Sequence, residues 1–213
     1  AAGTHYTDLT GESIWVRRMI DEHHTAAVRS NTAIVCSAGF DCIPADLGVL
    51  VAARHLHRKH KLLAESADHI WLKTRGGFSG GTIASAIYMV EKESRKALGQ
   101  CFGNVGYLTV EGRAPPGAAP DVPPLPPSYD APLGQYKINT VMAAVNTRHV
   151  HRTRSLFASD SSAENPFSAK FSYTEHMAVS SWFSGMLMGA ATALFMLAMA
   201  LSPTRWLLKK VLP

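Results

Sequence analysis

Acidic side chains and one tyrosine lie at the ends of two short predicted strands near the start of the chain. Tyr6 ends the first, an extended segment at residues 1–6, and Asp8 lies in the turn after it; Asp41 and Asp46 follow the second, an apolar run at residues 33–37. Ligands of an open α/β sheet bind beside the carboxyl ends of its strands, so these positions predict a cleft. A tyrosine hydroxyl there can donate a proton to a carbanion or enolate, although packing explains Tyr6 equally well. The residues expected to line the cleft are Asp8, Thr10, Gly11, Glu12, Gly39 and Asp41.

Helix capping is the simpler role for any one of these acids. Apolar spacing predicts a helix over residues 12–29, which Thr10 would cap and whose first turn would hold Glu12. A second helix is expected from Pro44, with Asp46 in its first turn. The acids therefore allow both interpretations, a ligand cleft and a set of helix ends.

A glycine-rich segment at residues 76–81 lies between a predicted strand at 67–75 and a predicted helix at 82–98. Free amides at such a turn can hold an anion, and Ser79 is a candidate cap for the helix. The segment matches neither the dinucleotide fingerprint nor the lysine-bearing phosphate loop. A plain loop that admits a ligand or another backbone is therefore the favoured interpretation, and a phosphate cradle is the alternative. The candidate rim residues are Ser79, Gly80 and Thr82.

The sequence shows no other recognisable group of catalytic or metal-binding residues. The closest histidine pairs, His55 with His57 and His149 with His151, lie in helical stretches that point the two rings apart, so no metal site is predicted. No Ser/His/Asp or Cys/His nucleophilic set can be identified. Cys36 and the two other cysteines form no CxxC pair, which favours a reducing compartment.

Composition excludes several classes of protein. With 46% apolar and 17% charged residues among 213, the chain is too apolar for intrinsic disorder. Its net charge of +5 suits an anionic ligand or membrane, but the basic residues are not massed as nucleic-acid binding requires. The chain opens on Ala1 rather than Met and shows no signal segment, so we expect it to derive from a larger protein.

The predicted elements alternate between strand and helix, which indicates an α/β fold. Residues 33–37 form an apolar run of the kind buried on both faces of a parallel sheet. Further strands are expected at 136–142 and 167–177, the latter half-buried, with a short basic helix at 147–157. Eight of the twelve prolines fall at 112–134, which predicts an extended surface loop; an SH3-type ligand is the less favoured alternative.

A long apolar segment near the C-terminus carries the strongest physical signal. Residues 177–204 contain no charge, and 182–201 include only Ser184 and Thr192 as polar side chains. Because about 20 apolar residues suffice to span the hydrocarbon core of a bilayer, lipid association is predicted. Spanning the bilayer and entering one leaflet are both open, and a buried helix of a soluble domain is the alternative.

Features along this helix support the prediction of lipid association. Gly185 and Gly189 follow the small-xxx-small spacing of packed membrane helices, which is a weak motif by itself. Trp182 and Trp206 flank the helix in interfacial positions. Pro203 is expected to end or kink the helix. The basic side chains expected at lipid head groups are Arg205, Lys209 and Lys210.

Four segments of the chain resemble the saccharopine dehydrogenase-like oxidoreductases. They are residues 3–12 (GTHYTDLTGE), 39–48 (GFDCIPADLG), 76–85 (GGFSGGTIAS) and the stretch from Asn146 to Arg152. The chain looks most like the branch that holds the trans-acting enoyl reductases and the lipid-droplet-associated saccharopine dehydrogenase-like proteins. The resemblance covers nearly the whole chain, and its first two motifs are long and specific.

The resemblance implies a Rossmann domain that binds NAD or NADP, joined to a mixed α/β domain. Family members carry the glycine-rich loop that receives the cofactor pyrophosphate ahead of the segment matched by residues 3–12, and this chain lacks that loop. We therefore expect a partial Rossmann-like sheet edge at 1–60 and a second α/β domain at 61–178, with the proline-rich loop at 112–134. The apolar helix and its basic tail would occupy 179–213.

The implied function is that of an NAD(P)-dependent oxidoreductase acting on a lipid-linked substrate. Tyr6 would donate the proton, and residues 79–82 would form the rim of the cleft. Expected partners are a membrane or lipid-droplet surface, a lipid-like substrate and, as a further option, a second copy of the chain. The location would be a lipid droplet or the cytoplasmic face of a membrane. The alternative is a non-enzymatic scaffold at that surface, and this chain alone is expected to be inactive.

Overall fold

Six strands and seven helices make up the described part of the chain, residues 3–73, 79–121, 123 and 125–211 of this computed structural model. The elements are β1 (Tyr6–Thr7), α1 (Ser13–Arg29), β2 (Ile34–Val35), α2 (Ile43–His60), β3 (Ala64–Trp71), α3 (Gly80–Lys92), α4 (Arg95–Phe102), β4 (Ser128–Asp130), β5 (Gln135–Asn139), α5 (Ala143–Ser159), β6 (Phe167–Val179), α6 (Trp182–Ala200) and α7 (Ser202–Val211). The predicted α/β class and the apolar C-terminal helix are confirmed.

The chain divides into two units. The first unit comprises Ala1–His69, Gln100–Pro120 and Ala144–Thr174, and the second unit comprises Ile70–Gly99, Asp121–Ala143 and Glu175–Pro213. Each unit therefore combines segments that are distant in sequence. The domain boundaries expected from the sequence stay a prediction.

In the first unit, β1 and β2 pair in parallel, with α1 between them in the chain. Tyr6 lies opposite Ile34 in this pairing. Parallel neighbours need a crossover connection, and α1 supplies it. The helix predicted over 12–29 is confirmed as α1, and Pro44 lies at the start of α2 as expected.

β2 is shorter and more exposed than its sequence indicates. The prediction of a strand buried on both faces is wrong, because only Ile34 and Val35 are paired and they are 39% and 49% exposed. Among the described residues, β1 is the sole strand that pairs with β2. Two strands alone provide too little surface to bury an apolar run on both sides.

The predicted cap of α1 is also wrong. Glu12 occupies the N-cap position rather than the first turn, and its side chain makes no capping hydrogen bond. The Thr10 hydroxyl donates to the Glu12 carboxylate and accepts the Glu12 amide at 3.3 Å. The two side chains thus bond locally within the loop instead of satisfying the first amides of the helix.

The core of the first unit forms where α2, α5 and β6 meet. Along β6, Phe171 and Tyr173 are buried, which confirms the predicted half-buried strand, whereas Ala169 is exposed. The Phe167 and Phe171 rings pack edge to face at 4.9 Å between centroids. The buried members of this core are Ala45, Val49, Ala53, Ala64, Val150, Phe167, Phe171 and Tyr173.

A four-stranded sheet has the order β3-β6-β5-β4. β5 runs antiparallel to β4 and β6, with Tyr136 opposite Tyr129 in one ladder and opposite Val179 in the other. The strands predicted near 136–142 and 167–177 are confirmed with shifted ends. The strand predicted at 67–75 is confirmed as β3, and its last two predicted residues lie outside the described residues.

The continuous helix predicted over 82–98 is wrong. α3 ends at Lys92, because Glu93 has an extended backbone with ψ of 144°. α4 then begins at Arg95, and the Ser94 hydroxyl accepts the amide of Ala97 at 3.1 Å. Serine readily bonds its own backbone, so Ser94 divides a stretch whose apolar spacing is helical throughout.

Most described residues of the proline-rich range 112–134 are exposed and irregular, in line with a surface loop, but part of the range is ordered by packing. It contains β4, and Pro127 is buried. At Gly117, with φ of +79°, a Cβ would lie 2.3 Å from the Lys170 carbonyl oxygen, so only glycine fits there. Close backbone contact, rather than apolar periodicity, fixes this segment.

α6 is one uninterrupted helix that packs on β5, α3 and α7 within the second unit. The Ser181 hydroxyl caps it by accepting the Ser184 amide at 3.1 Å. Within the described residues it is the single helix long and apolar enough to cross a membrane. It ends at Ala200, ahead of Pro203, as the sequence predicts.

Arg205 lies inside the elbow between α6 and α7, so the expectation that it contacts lipid head groups is wrong. Its side chain is buried, and Nη1 donates to the carbonyl oxygens of Met199 and Ala200 at 2.8 Å each. The last carbonyls of a helix lack helical partners and attract a cation. Arg205 therefore caps the C-terminus of α6.

Candidate functional site

The loops that follow β1 and β2 meet at the Asp8 carboxylate. Oδ1 of Asp8 accepts the amides of Thr10 and Ser37, each at 2.9 Å. The Asp8 carbonyl oxygen also accepts the amide of Ala38 at 2.8 Å. Ser37 has φ of 61°, which turns the chain sharply after β2. We call this arrangement the Asp8 hub, and it holds both strand ends together.

Tyr6 lies beside the hub with its ring 46% exposed. A hydrogen bond to the Asp8 carboxylate raises the pKa of Tyr6 above its usual value, and burial and the Asp8 charge act in the same direction. The hydroxyl therefore keeps its proton at neutral pH. The Tyr6 ring also lies 6.5 Å from the Trp15 ring, between centroids. The geometry is compatible with proton donation by Tyr6, which stays a prediction.

Gly39 lies next to the same loop. A Cβ at this position would lie 3.2 Å from Cδ2 of Leu9, so the absence of a side chain lets the two loops pack closely. The Gly39 carbonyl oxygen accepts the amide of Ile43 at 2.9 Å as α2 begins. Asp41 lies in this turn, and Gly11 lies in the other loop with open space around it.

A cavity of about 370 Å³ lies in the first unit beside β2. One part of its wall is apolar and comes largely from α1, including Met19, Ile20 and Val28. The polar residues of the wall come from α1 and the loop after it, from the end of β2, from α2 and from α5. They are His24, Thr32, Cys36, Asp46, His149, Arg152 and Thr153. An apolar body and a polar group of one ligand can therefore be bound together.

Asp46 is a partly buried carboxyl group at the polar end of this cavity. The Thr153 hydroxyl donates to Oδ2 of Asp46 at 2.9 Å, and Oδ1 has no hydrogen-bond partner among the described residues. Burial raises the pKa of Asp46 to about 6, opposed by the Thr153 hydrogen bond and the Arg152 charge. This group can change its protonation near neutral pH.

His149 and Arg152 project from adjacent turns of α5 to the same cavity. His149 is buried, and its Nε2 has no hydrogen-bond partner among the described residues. Burial, followed by the nearby Arg152 charge, lowers the pKa of His149 to about 4, so the ring is neutral at pH 7. Arg152 Nη1 donates to the Leu108 carbonyl oxygen at 3.0 Å. The cavity wall thus includes the cation of Arg152 and the neutral imidazole of His149, and His24 of α1 also lines it.

Cys36 links the cavity with the Asp8 hub. Its side chain lines the cavity, and burial raises the pKa of the thiol to about 11, with the Asp8 charge acting in the same direction. The thiol is therefore protonated at neutral pH, and a role as a thiolate nucleophile is not supported. Cys36 is partly exposed rather than a fully buried core residue.

The predicted site residues fall into two groups. Tyr6, Asp8, Thr10 and Gly39 come together at the carboxyl ends of β1 and β2. The rim residues Ser79, Gly80 and Thr82 belong to the second unit.

The predicted cap by Ser79 is confirmed, because its hydroxyl accepts the Thr82 amide at 3.2 Å. Gly80 is the first residue of α3. The glycines and phenylalanine at 76–78, which the sequence predicts as a plain loop with an anion cradle as the alternative, lie outside the described residues.

The sequence reasoning missed the polar face of α5. His149, Arg152, Thr153 and Leu156 recur at helical spacing and all line the cavity. The helical spacing of these four residues was a signal available in the sequence, but the sequence interpretation treated His149 only as a possible metal ligand paired with His151. Among the described residues, no three His, Cys, Asp or Glu side chains form a metal-binding group.

The second unit contains a buried carboxylate that the sequence reasoning also missed. Glu175 is 1% exposed, and Oε1 accepts the Trp71 indole N–H at 2.8 Å and the Thr140 hydroxyl at 3.2 Å. These hydrogen bonds join β3, β6 and the end of β5. The buried carboxylate therefore has a structural role.

Comparison with known proteins indicates the class to which the chain is related. A Mycobacterium tuberculosis protein named as a trans-acting enoyl reductase is 32% identical over all of this chain and 52% of that protein. Trans-acting enoyl reductases of Mycobacterium leprae and Mycobacterium bovis are 30% identical over 90% and 89% of this chain, and over 46% of each relative. These homologues support an oxidoreductase family.

The chain spans about half the length of the curated relatives it matches. No family model matches it. No solved structure matches it either.

Proposed function

We propose that this chain is part of an NAD(P)-dependent oxidoreductase of the saccharopine dehydrogenase-like branch, which reduces a carbon–carbon double bond in a lipid-linked substrate. The homologues named as trans-acting enoyl reductases support the reaction class. The observation that carries the proposal is the Asp8 hub with the adjoining cavity. Tyr6, which carries its proton at neutral pH, lies in β1 next to Asp8. The polar cavity residues Asp46 and His149 come from α2 and α5, beside the parallel strand β2.

The polar end of the cavity fits the carboxamide of a nicotinamide ring. A carboxamide needs an acceptor for its NH₂ group and a donor for its oxygen. Among the described residues, Oδ1 of Asp46 and Nε2 of His149 have no hydrogen-bond partner, and both atoms are buried. A turn of these side chains toward the cavity would present the first as an acceptor and the second, when it carries the imidazole proton, as a donor. Arg152 is a second donor on the same wall. These residues would hold the ring, whose reduced form supplies a hydride.

Tyr6 would supply the proton that completes the reduction. The substrate gains a hydride at the β-carbon and a proton at the α-carbon, so the C=C bond becomes a single bond. The raised pKa of Tyr6 keeps its proton in place until the α-carbon acquires negative charge. The exposed hydroxyl then regains a proton from water. Asp8 orients Tyr6 and joins the two loops.

A lipid-linked substrate would be met at a membrane or lipid-droplet surface. α6 is long and apolar enough to associate with lipid, and most of its length is exposed. The attachment would raise the local concentration of a substrate that is itself held in lipid. The proposed location is therefore a lipid droplet or the cytoplasmic face of a membrane.

The experiment uses the full-length protein that contains this chain. We expect NADPH or NADH to enhance its fluorescence on binding, and Asp46→Ala with Arg152→Met to weaken that binding. Tyr6→Phe should lower turnover of an enoyl thioester on the order of 100-fold while nucleotide affinity is unchanged. Tyr88→Phe, at a tyrosine 63% exposed on α3, is the matched control. A full-length protein that binds neither nucleotide would refute the proposal.

A second candidate function is a non-enzymatic scaffold at a lipid surface. The exposed apolar residues of α6 favour it, since they would attach the fold to lipid without any reaction. This function predicts that the full-length protein binds vesicles but no nucleotide, whereas the oxidoreductase proposal predicts both.

A further inference from the structure

The most exposed large residues of α6 lie along one side of the helix, whereas Met188 and Met196 on the other side are 40% and 47% exposed. Five large apolar residues of α6 and its C-cap are between 49% and 74% exposed, and their spacing of three, four or seven residues puts them on one side of the helix. At 1.5 Å per residue this side is about 27 Å long. We call it the apolar stripe; its members are Phe183, Leu187, Leu194, Leu197 and Leu201.

The opposite face of α6 is fixed to the second unit. Gly185, Gly189 and Met199 are buried along it. A Cβ at Gly185 would lie 2.7 Å from the Pro127 ring and 3.1 Å from Val179, so this glycine permits close packing. α6 is therefore one wall of a folded unit rather than a separate hydrophobic rod.

The elbow after α6 continues the exposed apolar surface. Arg205 caps α6 internally, while Trp206 and Leu207 on α7 are 60% and 54% exposed. The ammonium group of Lys210 lies 3.8 Å from the centre of the Trp206 ring. A tryptophan paired with a lysine is typical of the boundary between apolar chains and head groups.

Charge is distributed unequally between the two units. The second unit carries nine Lys and Arg against five Asp and Glu, a net charge of +4, whereas the first carries twelve against eleven, a net charge of +1. The unit that bears the apolar stripe thus carries most of the net positive charge of the chain. Anionic lipid complements it, and a second copy of the same surface would repel it.

A transmembrane orientation of α6 conflicts with its packing. Spanning would carry β5 into the hydrocarbon core along with α6. That strand includes Lys137, whose ammonium lies 2.8 Å from the Asp130 carboxylate, and both side chains are partly exposed. Charged groups and open sheet edges are costly in hydrocarbon.

We propose that α6 lies in the plane of an anionic lipid surface, with the apolar stripe below the head groups and the second unit above them. This inference rests on the lipid attachment within the proposed function and defines its geometry. In-plane helices insert one apolar face to a depth of about 5–10 Å. The stripe, Trp206 and the positive charge of the second unit meet that requirement together.

Vesicle flotation of the full-length protein tests the surface. We expect binding to vesicles of phosphatidylcholine with phosphatidylglycerol, and weaker binding to phosphatidylcholine alone or at high salt. Leu187→Glu and Leu194→Glu should each lower the partition coefficient on the order of tenfold. Val51→Glu is the matched control, because Val51 is 66% exposed on α2 and Leu194 is 67% exposed on α6. Equal losses from stripe and control variants would overturn the proposal.

Depth measurements distinguish the in-plane helix from a spanning one. Cysteines introduced one at a time at 187, 194 and 201, in a Cys36→Ser background, would be labelled with NBD. The depth of each label is measured from the quenching of its fluorescence by lipids that carry quencher groups at defined depths. An in-plane α6 gives the same shallow depth at all three positions. If the label at 194 is deeper than the labels at 187 and 201, the helix spans the bilayer and the inference is overturned.

Two further readouts separate the remaining outcomes. If the stripe variants abolish a dimer in lipid-free buffer and leave vesicle binding unchanged, the stripe binds a second copy and the inference fails. NADPH binding by the same variants is expected to stay unchanged. Loss of vesicle binding with retained nucleotide binding refutes only the lipid surface, and the reverse pattern refutes only the oxidoreductase.

Discussion

Asp46 illustrates how one buried carboxyl group can cost stability for the sake of a site. Its folded pKa of about 6 lies above the value of 3.8 for a free aspartate. The folded state therefore binds the proton more tightly, and this stabilising contribution is complete below pH 3.8 and is lost as pH rises through 6. If residue 46 had only a structural role, a neutral amide there would give a more stable folded state at neutral pH than a buried carboxylate does.

Asp46→Asn should therefore stabilise the protein at neutral and alkaline pH. Asparagine keeps an oxygen for the Thr153 hydroxyl and removes the buried charge. We expect a gain of about 2–3 kcal/mol in the free energy of unfolding at pH 8 and almost none at pH 4. Urea unfolding at both pH values measures it, and a gain of equal size at pH 4 would contradict the stated origin.

Among the helices, α5 and α4 are joined by a single buried arginine. Arg148 is fully buried, and Nε and Nη2 donate to the Cys101 carbonyl oxygen at 3.1 and 3.0 Å. Nη2 also donates to the Phe102 carbonyl oxygen at 3.0 Å. The guanidinium thereby caps the C-terminus of α4, where the helix dipole favours a positive charge.

Arg148→Met should destabilise the first unit. The change leaves the two terminal carbonyls of α4 without their donor, at a cost of about 3 kcal/mol or more. Urea unfolding provides the measurement. Arg58→Met, at an exposed arginine of α2, is the control and should change stability by less than about 0.5 kcal/mol. Similar effects of the two changes would refute the capping role.

Two helical glycines should respond to alanine in opposite directions. Gly185→Ala brings a methyl group to 2.7 Å from the Pro127 ring, so we expect a loss of about 1–3 kcal/mol. Gly48→Ala in α2 meets nothing within 4 Å and should gain about 0.5–1 kcal/mol from helix propensity. Thermal unfolding of both variants tests the packing of α6, and a gain for both would argue against it.

Periodicity predicted the elements and could not predict their ends or their neighbours. The helix over 12–29 and the strand over 167–177 follow from local spacing, and both occur, the strand extended to Val179. The break at Ser94 and the burial of Pro127 depend on one side-chain bond and one distant contact. Such features have no signal in the local apolar pattern.

The sequence predicted only the part of the candidate site that lies next to the strands β1 and β2. Tyr6, Asp8 and Gly39 follow strands that pair, so their proximity could be deduced. His149 and Arg152 reach the cavity from a helix more than a hundred residues later. Their role depends on how α5 packs on α2 and β2, which a single sequence does not specify.

At the level of the whole chain, buried histidines contribute to the response to acid, and Asp46 acts in the opposite direction. His151 is fully buried against Phe171, and neither ring nitrogen has a hydrogen-bond partner among the described residues. Burial lowers the pKa of His149 and of His151 to about 4, from 6.5. The unfolded chain binds these protons more tightly, so stability falls as pH decreases from 6.5 to 4.

His151→Phe should reduce the loss of stability between pH 6.5 and pH 4. Removing one of the two histidines is expected to recover about 3 kcal/mol of unfolding free energy at pH 4 and to cost little at pH 7, since no hydrogen bond is lost. Unfolding curves between pH 4 and 8 measure the effect. An unchanged slope below pH 6.5 would show that His151 is not the group responsible.

The protonated state of Cys36 has a practical consequence for resistance to oxidation. Only the thiolate reacts readily with peroxides and alkylating agents, and a thiol with a pKa of about 11 supplies almost none of it at neutral pH. Cys42 and Cys101 are buried. The chain should therefore tolerate aerobic handling without reductant, and iodoacetamide should label it far more slowly than free glutathione.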